Sequence, residues 1–337
     1  MTSIFMNVLN WINSWVGNYG WSVVLFTLLV RLVLLPLDIK SKKGMRAMTK
    51  IQPQLQALQK KYANDKEKLN QKTMELYKKE HVSPTAGCLP MLISLPVLWI
   101  MFTAMRVVAN EQIVKMILDM KETNTLPTLQ SWLWIKNVFQ PDSFNAYILP
   151  LVNDKLQTIT AVNYSKILTA ENIAAAREFL TTSTYAELAQ DLIPASAFIS
   201  TRINLLLFQP VINIPTSLAN MFQYGNGLFI LPLMAGGSQL LMTKVMNGKQ
   251  PKPEAAEVAK KDDDAANSVA NTMNSPFMKW FFPLFSVYIC ASYNAAFAIY
   301  WMAANVIQIV QQLAVNAYFD RQDAQEAAKA ANNASDN

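Results

Sequence analysis

The 337 residues are 52% hydrophobic and 15% charged, with a net charge of +6. Soluble domains carry roughly 25% charged residues, so this balance excludes an ordinary soluble protein and indicates a membrane protein with sizeable polar loops. One histidine and two cysteines are too few for a structural zinc site.

Residues 1–19 come first. Ile4, Phe5, Val8, Leu9, Ile12, Trp15 and Val16 recur at helical spacing, the pattern of an interfacial amphipathic helix lying on the membrane surface. The segment has no Lys or Arg, so it lacks the basic start of a signal peptide. About twenty apolar residues cross the hydrocarbon core, and five segments are candidates: 20–37, 88–108, 227–246, 277–291 and 293–315. Ser292-Tyr293-Asn294 between the last two reads as a tight turn between antiparallel helices, with one kinked helix as the competing reading.

Orientation follows from basic residues in short loops. Residues 39–87 contain twelve Lys and Arg, whereas residues 1–19 contain none. Segment 38–87 is therefore expected in the cytoplasm, the N-terminus outside, and the C-terminus, after five spans, inside. Cys88 and Cys290 then fall on opposite sides of the bilayer, which argues against a disulfide. Met48, Ile51, Leu55, Leu58 and Tyr62 alternate at three- and four-residue spacing, a coiled-coil seam. A break at Ala63-Asn64-Asp65 precedes a second apolar face at Leu69, Leu76 and Tyr77. Together they predict a basic helical hairpin, with Lys60 and Lys61 among its basic residues and Pro53 starting or bending its first arm.

Residues 109–226 form a long outer loop. The part from 151 to 224 has the appearance of an insertion, with at least one amphipathic helix within 174–189. An apolar stretch at 203–212 is too short to be a sixth span. Residues 247–276 read as a flexible cytoplasmic linker, and so does the tail 316–337 after Tyr318.

Arg31 is the one charge deep inside a span. It lies ten residues from Trp21 and nine from Lys40, so roughly 14–15 Å from either end. An arginine at that depth costs about 2.5–3.5 kcal/mol on insertion scales. No Asp or Glu lies within the five spans to pair with it, which leaves water as the compensating partner. Polar stripes on three helices fit such a wet site: Thr27, Arg31 and Asp38; Gly236, Gln239, Thr243 and Asn247; Trp301, Asn305, Gln308 and Gln312. Interhelical hydrogen bonding is the simpler account of any one stripe; three together predict a hydrophilic groove.

Further motifs carry a resemblance. Arg31 is followed by Ile51-Gln-Pro53-Gln-Leu-Gln-Ala-Leu-Gln59, Leu76-Tyr77-Lys78-Lys79 and Pro84-Thr-Ala-Gly87-Cys88-Leu89-Pro90. Ile230-Leu-Pro232 and Ile299-Tyr300-Trp301 with Asn305 complete the set. In this order and over five spans the chain resembles the YidC/Oxa family of membrane protein insertases. The resemblance implies that Arg31 is the groove arginine and that Thr27, Gln239 and Trp301 line the groove or contact the incoming chain. Ser94 stands where members often carry glutamine, a departure from the pattern. Residues 132–150 resemble the usual outer connection; 151–224 exceed it.

The expected fold is an all-α polytopic membrane protein, five transmembrane helices around a hydrophilic groove, with a cytoplasmic helical hairpin and an enlarged extracytoplasmic loop. The implied activity is insertion of nascent membrane proteins in a bacterial plasma membrane, without cofactor or nucleotide. The residues contain no P-loop and no nucleophile–base pair, and His81 beside Glu80 reads as a solvated loop residue. The groove residues are Arg31, Thr27, Gln239, Trp301, Asn305, Gln308 and Thr243; the hairpin residues are Pro53, Lys60, Lys61 and Tyr77. Implied partners are nascent membrane proteins and the lipid bilayer, with the ribosome, a targeting receptor and a Sec-type translocon as further candidates and no specific nucleic-acid sequence. An anion channel or transporter subunit is the competing class; the absence of an internal repeat argues against common transporter plans.

Overall fold

A computed structural model describes residues 2–82, 89–143, 146–149, 159–202, 211–247 and 276–335. The 84–88 motif, most of the 247–276 linker, residues 203–210 and the side chain of Ser94 lie outside this description. The helices are α1 (Thr2–Val16), α2 (Tyr19–Lys61), α3 (Lys66–Lys79), α4 (Leu89–Thr123), α5 (Ala170–Phe179), α6 (Ser183–Leu192), α7 (Leu218–Tyr224), α8 (Ile230–Asn247), α9 (Pro276–Ser292) and α10 (Ala295–Ser335). The described residues are mostly helical, as an all-α chain requires, with one small sheet in which strands β1 (Phe198–Arg202) and β2 (Val211–Pro215) pair antiparallel between α6 and α7. Among the described residues, three helices are long and apolar enough to cross a membrane by length and composition: α2, the Pro96–Thr123 part of α4, and the Ala295–Glu326 part of α10.

Several elements outrun their expected limits. The first span and the first hairpin arm are one 43-residue helix, α2, running through Pro36 and Pro53. Pro53 therefore does not start a helix, because strong helix formers on both sides outweigh the bond that proline removes. α4 continues past 108 to Thr123, with Ile113, Val114, Ile117 and Met120 buried. The tail expected as a linker is helical to Ser335 as part of α10, consistent with its alanine content. A two-residue break at Tyr293-Asn294 separates α9 from α10.

The chain folds as two compact units. The first comprises Met1–Leu28, Ile100–Leu240 and Phe281–Asn305. α1 buries Met6, Leu9 and Ile12 and leaves Ile4, Trp11 and Trp15 exposed, so only part of its apolar stripe faces outward. Gly17, at φ +71°, ends it by donating its N–H to the Asn13 carbonyl, a left-handed cap. Asn18 then caps α2 by accepting from the Trp21 N–H at 3.2 Å. Gly20 lies flush against the Trp132 indole, where a Cβ would approach to 2.3 Å. Gly236 likewise lets α8 approach α9, since a Cβ would meet Val287 at 2.5 Å. This takes Gly236 out of the expected polar stripe and makes it a packing residue.

The loop after α4 sets the ends of the helices. Asp142 is fully buried. Its Oδ1 accepts from the N–H groups of Leu228 and Phe229 at 2.9 and 3.2 Å. Its Oδ2 accepts from Leu231 N–H at 2.6 Å and Trp134 Nε1–H at 3.3 Å. A carboxylate there satisfies the free donors at the start of α8 and complements the helix dipole. Phe229 is held at φ +62° beside it. Asn226, also fully buried, accepts from Asn137 N–H through Oδ1 and donates through Nδ2 to the carbonyls of Asn137 and Pro141. The same loop caps α10: Ala295 N–H donates to the Gln140 carbonyl and Ala296 N–H to that of Val138, while Asn294 Oδ1 accepts from Phe297 N–H. Tyr19, at the start of α2, stacks edge-on to Phe139 at 5.1 Å and accepts from Gln112 Nε2 of α4 at 2.9 Å.

The insertion is built on that loop. Ile148, Ile193, Ala197 and Phe198 form its buried core, with Leu129, Tyr147 and Tyr224 packed around them. The 174–189 stretch, expected to hold at least one helix, takes part in two, α5 and α6, because Thr182 accepts from Tyr185 N–H and caps a second start. Thr169 and Ser217 cap α5 and α7 in the same way.

The second unit comprises Leu29–Trp99, Leu241–Trp280 and Val306–Asn337. A turn at residues 62–65 separates α2 from α3, and Asp65 caps α3 through Lys68 N–H. Ile51 and Leu55 are buried. Gln311 donates to Asp38 at 2.8 Å. Arg46 pairs with Asp320 at 2.5 Å and Asp323 at 3.1 Å, lies over the Phe319 ring, and donates to the Asn316 carbonyl. Lys50 pairs with Asp323 at 3.0 Å. The tail of α10 is thus fastened to α2.

Two expectations follow. Asp142→Ala leaves buried N–H groups unpaired at about 1–3 kcal/mol each, and Gly227→Ala places a Cβ 1.9 Å from Asp142 Oδ1. Each lowers the midpoint of thermal unfolding in detergent, and the double variant falls short of the sum, because both break one contact; full additivity contradicts the shared contact. Replacing Asp320 and Asp323 together by Lys opens the end of α10 to limited proteolysis, and a cleavage rate equal to the parent's contradicts the fastening.

Candidate functional site

The candidate groove residues sit on three helices. On α2, Thr27 is buried and donates its hydroxyl to the Val23 carbonyl at 2.6 Å. Arg31, one turn further, is half-buried between the exposed apolar side chains of Leu28, Leu32 and Val33. Among the described residues it forms no ion pair and no hydrogen bond. Asp38 and Ser41 continue the same face; Ser41 is buried with its hydroxyl unpartnered among the described residues.

On α8, Gln239 and Thr243 are half-buried. Ser238 beside Gln239 accepts from Asn305 Nδ2 of α10 at 3.0 Å and donates to the Ala235 carbonyl. Asn305 is thus buried and paired. On α10, Trp301 packs on Phe297, and its Nε1–H is buried without a hydrogen-bond partner among the described residues. Gln308 is half-buried, and Gln312 Nε2, on the same face, is buried and unpartnered in the same sense. The neighbours Leu240 and Val306 are exposed and apolar.

Gln239 lies nine residues into α8 and Asn305 ten into α10, so about 14 and 15 Å from helix starts capped by the same loop. The Asn305–Ser238 contact matches that common level. Sequence reading missed Asp142, Asn137 and Asn226, which set the level. The Asn226-Gly227 pair before an apolar run is a visible turn signal, but nothing local ties it to Asp142, which is far away in sequence.

The hairpin residues are placed on α2 and α3. Pro53 is exposed inside α2, and Lys60 and Lys61 are exposed in its last turn, with Lys61 Nζ 5.6 Å from the Tyr62 ring. Tyr77 is half-buried, and burial pushes its hydroxyl pKa up. His81, at φ +52°, takes the left-handed position that ends α3, with Val82 N–H donating back to the Tyr77 carbonyl. This gives His81 a backbone role rather than a place among acid–base partners. Lys136, which donates to the Phe222 and Gln223 carbonyls at the end of α7, has its pKa lowered by burial.

A family model described as 60Kd inner membrane protein matches residues 11–219 and 164–323. Among curated relatives, a protein named membrane protein insertase YidC from Fusobacterium nucleatum is 40% identical over 146 residues, covering 43% of this chain and 62% of that protein. Its namesake in Caldanaerobacter subterraneus is 36% identical over 147 residues, with 43% and 62% covered. That of Legionella pneumophila is 39% identical over 152 residues, which is 45% of this chain and 24% of the relative. The match therefore spans less than two thirds of each of these relatives. With its long apolar helices, the chain is a membrane protein, and it belongs to the 60Kd inner membrane protein family, the YidC/Oxa family.

Proposed function

We propose that the chain is a membrane protein insertase, which moves polar segments of nascent membrane proteins through a water-filled groove with Arg31 at its centre. The observation that carries this reading is the run of donors that have no protein partner among the described residues: half-buried Arg31 and the buried Ser41 hydroxyl on α2, and the buried Trp301 Nε1–H and Gln312 Nε2–H on α10. In a dry bundle each buried, unpaired donor costs about 1–3 kcal/mol. Water in a groove along those helices removes the cost.

The relatives named as membrane protein insertases support the same activity. In this reading the groove thins the hydrocarbon barrier, and the Arg31 charge attracts an acidic segment more strongly there than in bulk water. The substrate's apolar helix then leaves sideways into lipid, driven by burial of its own apolar surface. No step needs nucleotide. Thr27, Gln239, Thr243, Trp301, Asn305 and Gln308 line the groove.

In this reading the five spans are 20–37, 88–108, 227–246, 277–291 and 293–315, with the N-terminus outside and the C-terminus in the cytoplasm of a bacterial cell. The loop that caps both α8 and α10 and packs on the start of α2 supports this alternation, since three helices leave it and two arrive. The basic hairpin, with Pro53, Lys60, Lys61 and Tyr77, receives substrate from a ribosome, targeting receptor or Sec-type translocon. Its lysines also attract anionic lipid, worth about 1 kcal/mol each near the surface.

Arg31→Ala is expected to abolish insertion of substrates with acidic outer segments, while Arg31→Lys retains much of it, because the groove needs a charge rather than a bidentate fork. Complementation of an insertase-depleted strain decides this, and full growth with Arg31→Ala at equal abundance contradicts it. In a cysteine-free background, Arg31→Cys, Gln239→Cys and Asn305→Cys are expected to react with a membrane-impermeant thiol reagent added from the cytoplasmic side. Leu32→Cys, Leu240→Cys and Val306→Cys react poorly. Uniform protection of the first three means a dry bundle and no groove.

A further inference from the structure

The insertion divides by charge. Residues 159–192, which hold α5 and α6, carry six charged side chains: Lys166, Glu171, Arg177, Glu178, Glu187 and Asp191. Residues 198–224, which hold β1, β2 and α7, carry only Arg202. A water-facing stretch of that length and ordinary composition carries about seven.

This uncharged part is nevertheless uncovered. Ile199 is 61% exposed and Ile214 48%, and the two are direct cross-strand partners, so they form one apolar patch on one face of the sheet. Leu218 is 74% exposed and Phe222 58%; at i and i+4 they share a face of α7. The core of the insertion is satisfied without them, by Ile148, Ile193, Ala197 and Phe198. Five residues separate Tyr224 from the start of α8 at Ile230. The first turns of α8 expose Leu233 and Met234. The apolar surface of α7 therefore leads in the chain directly to the outward apolar surface of α8.

We propose that the β1–β2 hairpin and α7 are a membrane-docking face, which dips into the boundary between headgroups and acyl chains beside α8 and leaves α5 and α6 in water. The proposal rests on the reading of α8 as a span. A bilayer is the occupant that these observations favour over a protein. The face is nearly free of charge while its neighbour is rich in it, and it adjoins a helix whose own exposed side chains are apolar. Docking of this kind tethers the insertion at the mouth of the groove, where it holds the capping loop 137–142 at the level of the interface.

Fluorescence quenching tests it on the full chain. Ile199→Cys, Ile214→Cys, Leu218→Cys and Phe222→Cys are made singly with Cys88→Ala and Cys290→Ala, labelled with an environment-sensitive fluorophore, and reconstituted in phosphatidylcholine–phosphatidylglycerol vesicles. Lipids carrying a nitroxide at the headgroup or shallow in the acyl chain are expected to remove most of the signal at these positions, and aqueous iodide little. Glu178→Cys and Glu187→Cys show the reverse. Leu233→Cys reports separately on α8. If Leu233→Cys is quenched by lipid while Ile199→Cys and Phe222→Cys are quenched by iodide as strongly as Glu187→Cys, the docking face is wrong and the span stands. Protection of Ile199→Cys and Phe222→Cys from both quenchers marks a protein partner or a second copy and also overturns it. Iodide quenching at Leu233→Cys removes the span reading and the docking face with it.

Discussion

Asp142 holds a carboxylate in a fully buried position and surrounds it with donors from the start of α8. Hydrogen bonds to a charged group contribute about 1.5–3 kcal/mol each, and a helix N-terminus adds a further favourable dipole. That set of bonds offsets the cost of burying the charge and of holding Phe229 in the left-handed region. The carbonyls of Val138 and Gln140, a few residues earlier, take the free donors of α10. One short loop thus fixes where two helices begin, and everything further along them inherits that level.

The consequence reaches the middle of the helices. Gln239 and Asn305 lie at nearly equal distances from their caps, and Asn305 meets Ser238 there. A helix shifted by one residue would rotate its polar face by about 100° and lose that contact. The capping loop therefore governs which side chains of α8 and α10 share a face. In the proposed groove, a donor such as Trp301 Nε1–H is worth keeping without a protein partner only if water reaches it.

The sequence revealed the elements that depend on period and length. The apolar period within residues 1–19 falls on the helix Thr2–Val16, and the Ala63-Asn64-Asp65 break falls between α2 and α3. Arg31 was conspicuous because a lone cation among leucines contradicts its surroundings. Helix ends were less legible, since alanine and lysine propagate a helix through positions that loop composition suggests for linkers, as in the tail of α10. The Arg46–Asp320–Asp323 cluster needed the fold, because Arg46 is more than two hundred residues from both aspartates. So did Asp142, which has no local partner. The β1–β2 hairpin was hidden for another reason: its residues alternate poorly, and the apolar run between the strands dominates any reading of them.

The central claim is that a nascent chain passes along the polar faces of α2, α8 and α10. Site-specific photo-crosslinking measures this directly, with a photoreactive amino acid placed in turn at positions 31, 239, 301 and 305 and at the outward positions 240 and 306, against a ribosome-stalled membrane protein. The account predicts adducts to the nascent chain from the first group as its outer segment crosses, and far weaker ones from 240 and 306 at that stage. Adducts confined to 240 and 306, or none from the polar faces with an insertion-competent substrate, would contradict it.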